Sequence, residues 1–277
     1  MKTINLLNLD KSDIKYRIDQ FPDGEKSIVV LDELDHKIDG VKIITRLASM
    51  DDIFIALQIC DILNRHEIVY DMYISYLMSM RMDRVMSWNR PYSLKVVTNM
   101  IKNCGARKMY VLEAHSDKTL NLLNAEPWKC YFDSAKNQIF ANYVWDNTKL
   151  VVFPDAGACE RYSNTTHIVA TFKKVRDLET GNIKSLEPTT AEDVQLIKDR
   201  NDILIIDDLC DGGGTFVGIA KRIKEINPNA KLSIIVTHMV NPRGIENLSK
   251  NFDSVTFSNS YRDWDNLPDN VEMIELQ

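Results

Sequence analysis

The chain has 277 residues, of which 44% are hydrophobic and 27% charged, and a formal net charge of −6. That profile fits a globular protein with one large domain or two ordinary ones and excludes a collagen-like or low-complexity chain. With no extended basic stripe, no long apolar run and no charged-then-apolar leader, neither nucleic acid nor membrane is an expected partner, and a cytoplasmic location is expected. The five cysteines (Cys60, Cys104, Cys130, Cys159 and Cys210) are odd in number and contain no C-x-x-C pair, which fits reduced thiols rather than disulfides or zinc.

Short apolar strands alternate with amphipathic helices along the chain. "VKIITRL" reads as a strand, followed by a helix over "DDIFIALQICDILNRH" with Asp51 or Asp52 as cap and Ile53, Leu57, Cys60 and Leu63 inward. "PYSLKVVTNMIKNCG" reads as a second helix, opened by Pro91 and closed by Gly105, and "KMYVLEAH" as the next strand. From about residue 148 a second series starts, with strands at "KLVVFP" and "THIVATF". The segment 173–200 is polar with little periodicity and reads as a flap or an excursion without order. "DILIIDD", a helix over Thr215–Ile226 and "KLSIIVTH" complete the series. Such alternation predicts an α/β fold of mainly parallel sheets covered on both faces. Strands that end in histidine in both halves hint at two related domains, here placed at 1–145 and 146–277.

The richest stretch is "ILIIDDLCDGGGTFVGIAKRI", residues 203–223. In an open parallel sheet, ligands settle at the carboxyl ends of strands, which is where Asp207 and Asp208 fall. Gly212, Gly213 and Gly214 then lead into a helix whose first amides face outward, and glycines let a phosphate approach them. Carboxylates beside a phosphate bind ribose hydroxyls or hold magnesium through water. A plain turn with capping aspartates is the alternative, but two adjacent aspartates at a strand end plus Asp211 before the glycines favour a phosphorylated sugar.

"IIDDLCDGGGT" resembles the ribose-phosphate motif of the phosphoribosyltransferases and the ribose-phosphate pyrophosphokinases. Further segments resemble the pyrophosphokinases specifically. "FPDGE" (Phe21 to Glu25) is similar to their F-x-D-G-E, "RMDR" (Arg81 to Arg84) to R-Q-D-R, and residues 90–117 to the stretch ending in D-L-H. "VVFPDAGACERY" is similar to S-P-D-x-G-G-x-x-R, and "ATFKKVR" falls at the D-K-R-R flap. The matches run in order from about residue 21 to 260, which makes the resemblance far more specific than any one motif.

The resemblance implies two phosphoribosyltransferase-like domains, an ATP side and a ribose-phosphate side with its flap at about 173–190. Arg81, Asp83 and Arg84 would contact ATP, and Phe21, Asp23 and Glu25 from a neighbouring chain would surround the adenine, so a dimer or larger homo-oligomer is expected. His115 would lie by the triphosphate and its magnesium, and Asp155 would hold magnesium; a core histidine and a turn-forming aspartate are the plainer readings of these two. Lys174 and Arg176 match the catalytic lysine and arginine of the flap, against the bland reading of a solvated basic loop. Asp207, Asp208, Asp211, Gly212, Gly213, Gly214 and Thr215 would hold the acceptor. The implied reaction moves the diphosphoryl group of ATP to the anomeric hydroxyl of ribose 5-phosphate and releases AMP.

The departures mark a divergent, shortened member. Met82 and Val85 replace glutamine and lysine, Glu113 replaces aspartate, and Lys173 and Val175 replace aspartate and arginine. In the loop, Gly212 and Gly213 stand where D-T-x-G-T has threonine and a small residue. Each hydrogen bond to a charged group contributes about 1.5–3 kcal/mol, so the lost hydroxyl weakens selection for a free 5-phosphate, while the lost side chains make room. A 5-substituted ribose such as ADP-ribose is therefore a second acceptor candidate, as in viral relatives acting in NAD metabolism. A phosphoribosyltransferase leaves "FPDGE", "RMDR" and "KKVR" without a role. A non-catalytic regulatory subunit is disfavoured by the presence of both Lys174 and Arg176.

Overall fold

The computed structural model describes residues 1–35, 38–162, 168–176 and 183–276, without the side chains of 131–133, 140, 144, 174–176 and 183–184. The chain parts into two compact units, Met1–Lys129 with Ser260–Arg262, and Cys130–Asn259 with Asp263–Gln277.

The first unit holds β1 (Lys2–Asn5), β2 (Tyr16–Gln20), β3 (Lys26–Val30), β4 (Val41–Leu47), α1 (Met50–Arg65), β5 (Tyr70–Leu77), α2 (Ser93–Ile101), β6 (Lys108–Val111), α3 (Asp117–Leu123) and β7 (Glu126–Pro127). A parallel sheet in the order β1-β4-β5-β6-β7 forms its centre, and β2 and β3 make a separate antiparallel hairpin. β5 is buried on both faces along almost its whole length, as a covered parallel strand is, with Asp71 satisfied there by Arg107. The cap of α1 is Ser49 rather than Asp51 or Asp52. Ser49 accepts from the Asp52 amide while the Asp52 carboxylate accepts from the Ser49 amide, a capping box in which aspartate is the third residue, not the first. The buried face of α1 includes Ile53, Ala56, Ile59, Cys60 and Leu63, whereas Leu57, expected inward, is only partly buried. α2 buries Leu94, Val97 and Ile101 as its period predicts, and Gly105 follows with φ +99°.

The second unit holds α4 (Tyr131–Val144), β8 (Lys149–Phe153), α5 (Ala156–Tyr162), β9 (Val169–Arg176), β10 (Ile183–Pro188), α6 (Ala191–Asp199), β11 (Asp202–Cys210), α7 (Gly214–Ile226), β12 (Lys231–Met239), α8 (Pro242–Ser249), β13 (Ser254–Ser258) and β14 (Val271–Ile274). Its sheet runs β10-β9-β8-β11-β12-β13-β14, parallel except for β10 against β9. Ile203, Ile205, Ile234 and Val236 pack with Phe216, Ile219 and Ile223 of α7 in one apolar core. Because α4 packs on β8 and β11, it sorts with this unit, and the units part at Lys129/Cys130 instead of 145/146.

Part of the polar 173–200 segment is regular. β10 returns along β9, pairing Leu186 with Lys174 and Glu187 with Lys173, and Thr190 caps α6 in a capping box with Asp193. Residues 177–182 lie outside the described residues.

Candidate active site

In the second unit the chain moves from β8 to β9 on one side and later places β11 on the other, so the strand order reverses between β8 and β11. Such a reversal opens a crevice at the carboxyl ends of the strands. The ladder of β11 with β8 ends at Ile205, whereas its ladder with β12 continues to Cys210. Asp207 and Asp208 therefore lie in the carboxyl-terminal part of β11, on the stretch that overshoots β8, and the strand runs on past them to Cys210.

Both carboxylates converge on Arg161 at the end of α5. Its Nη2 donates to Asp207 Oδ1 at 3.0 Å and to Asp208 Oδ1 at 2.8 Å, and the Asp208 amide donates to Asp207 Oδ1 at 2.9 Å. Asp208 is 2% exposed and Asp207 is partly buried, so this is a largely desolvated acidic pair clamped by one cation. Burial first, and then the neighbouring charge of Asp208, push the Asp207 carboxyl up to about 7. Arg161 closes the "PDAGACER" segment, yet sequence reasoning gave it no role. Lys136 was also missed: its Nζ, in a residue 3% exposed, donates to Tyr162 Oη, Thr237 Oγ1 and the Asp207 carbonyl.

The glycine loop has two kinds of glycine. Gly213 caps α7 with φ 75°, a conformation that suits glycine, and a Cβ there would touch Asn247 and Leu248. Gly212 and Gly214 face open space and neither has a left-handed backbone, so neither packing nor conformation demands glycine at either. α8 braces the loop. Asn241 donates to Asp211 Oδ1, Asn247 donates to the Gly212 carbonyl, and a Cβ on Gly244 would collide with the Asp211 carbonyl. α7 starts without a side-chain cap, leaving its first amides, with Thr215, directed at whatever enters the loop.

Asp155 follows β8 and accepts the Gly157 and Ala158 amides on Oδ1, so it anchors the start of α5. Among the described residues no group of three or more His, Cys, Asp or Glu is gathered as a metal site. Magnesium commonly uses one or two carboxylates and completes its shell with substrate phosphates and water, which suits what is here. Lys174 and Arg176 lie at the end of β9, and their side chains lie outside the described residues.

In the first unit, Phe21 to Glu25 form the tip of the β2–β3 hairpin. The Phe21 amide donates to the Glu25 carbonyl, the Gly24 amide donates to the Phe21 carbonyl, and the Glu25 amide donates to Asp23 Oδ1. The Phe21 ring is exposed. Asp83, by contrast, is 5% exposed; its carboxylate receives Arg84 Nε at 3.1 Å and Lys118 Nζ at 3.6 Å, and its carbonyl receives Lys118 Nζ at 3.2 Å. Desolvation pushes the Asp83 carboxyl upward, but hydrogen bonds with Ser116 and Arg84 and the charges of Lys118 and Arg84 hold it below the usual range. Asp83 thus ties the Arg81–Arg84 segment to α3, leaving Arg81 and Arg84 exposed. His115 stands in the turn between β6 and α3, two residues after Glu113, whose φ is 38°. His238, its counterpart in "VTH", is instead inside β12 and fully buried. Lys118 is a further cation that the motifs did not single out.

No model of a protein family matches the chain. It is 26% identical over 251 residues to a ribose-phosphate pyrophosphokinase of Pyrococcus furiosus, spanning 88% of this chain and 85% of that protein. It is 27% identical over 283 residues to the ribose-phosphate pyrophosphokinase of Pyrococcus abyssi, spanning 98% of this chain and 88% of that protein. Over most of its length the chain is thus similar, at low identity, to ribose-phosphate pyrophosphokinases. The resemblance read from the motifs is thereby borne out, and so is the α/β fold. The crystal structure of phosphoribosylpyrophosphate synthetase from Mycobacterium smegmatis superposes with a TM-score of 0.76 at 17% identity, covering 96% of this chain and 88% of that one. In this chain the Asp-Asp-x-x-Asp-Gly-Gly-Gly segment sits at the carboxyl end of a central parallel strand.

Proposed function

We propose that the protein is a magnesium-dependent diphosphotransferase that moves the β,γ-diphosphoryl group of ATP to the anomeric hydroxyl of a 5-phosphorylated ribose and releases AMP. The observation that carries this reading is the crevice in the second unit: a buried aspartate pair clamped by Arg161, directly before an uncapped helix N-terminus behind a braced glycine loop. Together these fit a ligand that presents vicinal hydroxyls and a phosphate. The similarity to ribose-phosphate pyrophosphokinases supplies the donor and the reaction type.

In this reading the second unit serves the acceptor. Asp207 and Asp208 accept the ribose hydroxyls, while the amides at Gly212 to Gly214, with Thr215, take the 5-phosphate; Asp211 faces the same loop. The first unit serves ATP through the exposed Arg81 and Arg84, held in place by Asp83, with His115 beside the triphosphate. Phe21, Asp23 and Glu25 would reach the adenine of a neighbouring copy. Asp155 would hold magnesium, which neutralises phosphate charge when bound. In-line displacement asks the protein mainly for alignment and fixed cations, and Lys174 and Arg176 at the end of β9 are the proposed cations.

Both ribose 5-phosphate and ADP-ribose remain in this reading, and the open space at Gly212 and Gly214 favours a substituent on the 5-phosphate. The test is AMP release from ATP and magnesium with each acceptor offered alone, followed by phosphorus NMR of the product. Release with ADP-ribose only means that the loop serves a larger acceptor, and release with ribose 5-phosphate only means that the glycines are neutral. Release with neither overturns the reading in favour of a phosphoribosyltransferase or a regulatory subunit.

A further inference from the structure

Lys136 is a lysine where packing alone calls for an apolar residue. It lies on the face of α4 that meets β8 and β11, 3% exposed, in a helix whose pattern otherwise looks like an ordinary solvated one. Bringing an ammonium into such a place costs several kcal/mol unless its donors are satisfied. An ammonium has three donors, and here they meet Tyr162 Oη at 2.9 Å, Thr237 Oγ1 at 3.0 Å and the Asp207 carbonyl at 3.2 Å.

These partners are not scattered. The Asp207 carbonyl belongs to the residue whose carboxylate meets Arg161, and Tyr162 is the next residue after Arg161. The Tyr162 ring is near both cations, 4.6 Å from Lys136 Nζ and 5.9 Å from Arg161 Cζ. Thr237 lies on β12, whose ladder with β11 pairs Asp207 with Val236 and Leu209 with His238 around it. One side chain thus joins α4, α5, β11 and β12 at the point where the aspartate pair is set.

We propose that Lys136 is a positioning residue for the acceptor: it fixes the main chain at Asp207 and the Tyr162 ring, and through them the Arg161 clamp that orients the two carboxylates. This rests on the reading of Asp207 and Asp208 as the acceptor site. A purely structural lysine and a positioning lysine differ in what its removal does. Methionine has similar bulk and no charge to desolvate, so Lys136→Met relieves a burial cost but frees Asp207 and Tyr162 to move.

The experiment compares wild type, Lys136→Met and Thr237→Val in full-length protein by thermal unfolding and by steady-state AMP release. The KM for the acceptor and the KM for ATP are measured separately. For Lys136→Met the expected result is an unchanged or higher melting temperature, an acceptor KM raised on the order of tenfold, and an ATP KM unaltered. Thr237→Val keeps the ammonium but removes one of its acceptors, so a smaller rise in the same constant is expected. An unaltered acceptor KM in both variants, or equal changes in both constants, overturns the proposal. If Lys136→Met fails to fold, Thr237→Val decides by the same criterion. The wild-type arm separates the two ideas: no AMP with either acceptor removes the functional reading, whereas wild-type turnover with unaltered variant constants removes only the role of Lys136.

Discussion

At Asp207 the needs of stability and of binding pull apart. Burial and the charge of Asp208 raise its carboxyl to about 7 from an ordinary 3.8. A carboxyl raised in this way binds its proton more tightly in the folded chain than in the unfolded one. Its contribution to stability is therefore full below about pH 4 and is lost as pH rises through about 7. Asp207→Asn is expected to remove that loss, so its melting temperature should gain on wild type from pH 5 to pH 8 while acceptor turnover collapses. A melting-temperature difference that does not change with pH would show that the like-charge pair does not strain the fold. The aspartates were legible because three carboxylates beside glycines are rare without a ligand. Arg161 was legible only as the last letter of a motif, and Lys136 not at all, because a lysine in a mixed helix reads as solvated and its burial is decided by α5, β11 and β12.

Among the elements, the strands with strongly apolar runs were legible and the edges were not. β4, β8 and β11 have the continuous hydrophobic character of covered parallel strands. β10 is polar because an edge strand buries little, and its pairing with β9 comes from register and not from composition. The β2–β3 hairpin was hidden for the same reason, although "FPDGE" carries the proline, aspartate and glycine of a turn. The glycine loop predicts its own asymmetry. Gly213→Ala places a Cβ in the left-handed region and is expected to cost about 1–2 kcal/mol in thermal unfolding. Gly212→Ala, which points a methyl into open space, is expected to leave the melting temperature unchanged, so equal losses in the two variants would refute the distinction.

For the molecule as a whole, the order of the motifs carried more than any one of them. Two α/β units were anticipated from the repeated strand-helix series, but the break was set at 145 because α4 has a weak pattern of its own; its packing on β8 and β11 is a tertiary fact. The exposed hairpin tip at Phe21 suits a contact with another copy. Light scattering is expected to give a dimer or larger species, and a monomer would remove the proposed role of Phe21, Asp23 and Glu25 at a neighbour's adenine.

The ladders also differ in how much chain each must close. Apart from β2–β3 and β9–β10, every ladder between the named strands is parallel, and a parallel pair waits for a crossover of a dozen residues or more. Closing such loops is slow, whereas a hairpin forms from neighbours on the chain. The two hairpins, with "FPDGE" on one and Lys174 and Arg176 on the other, therefore close shorter loops than the pairing of β11 with β8 and β12 does. Asp207 and Asp208 are neighbours on the chain from the start, so what waits for the parallel ladders and for α5 and α4 is not the pairing of their charges but the arrival of Arg161 and Lys136 to hold them.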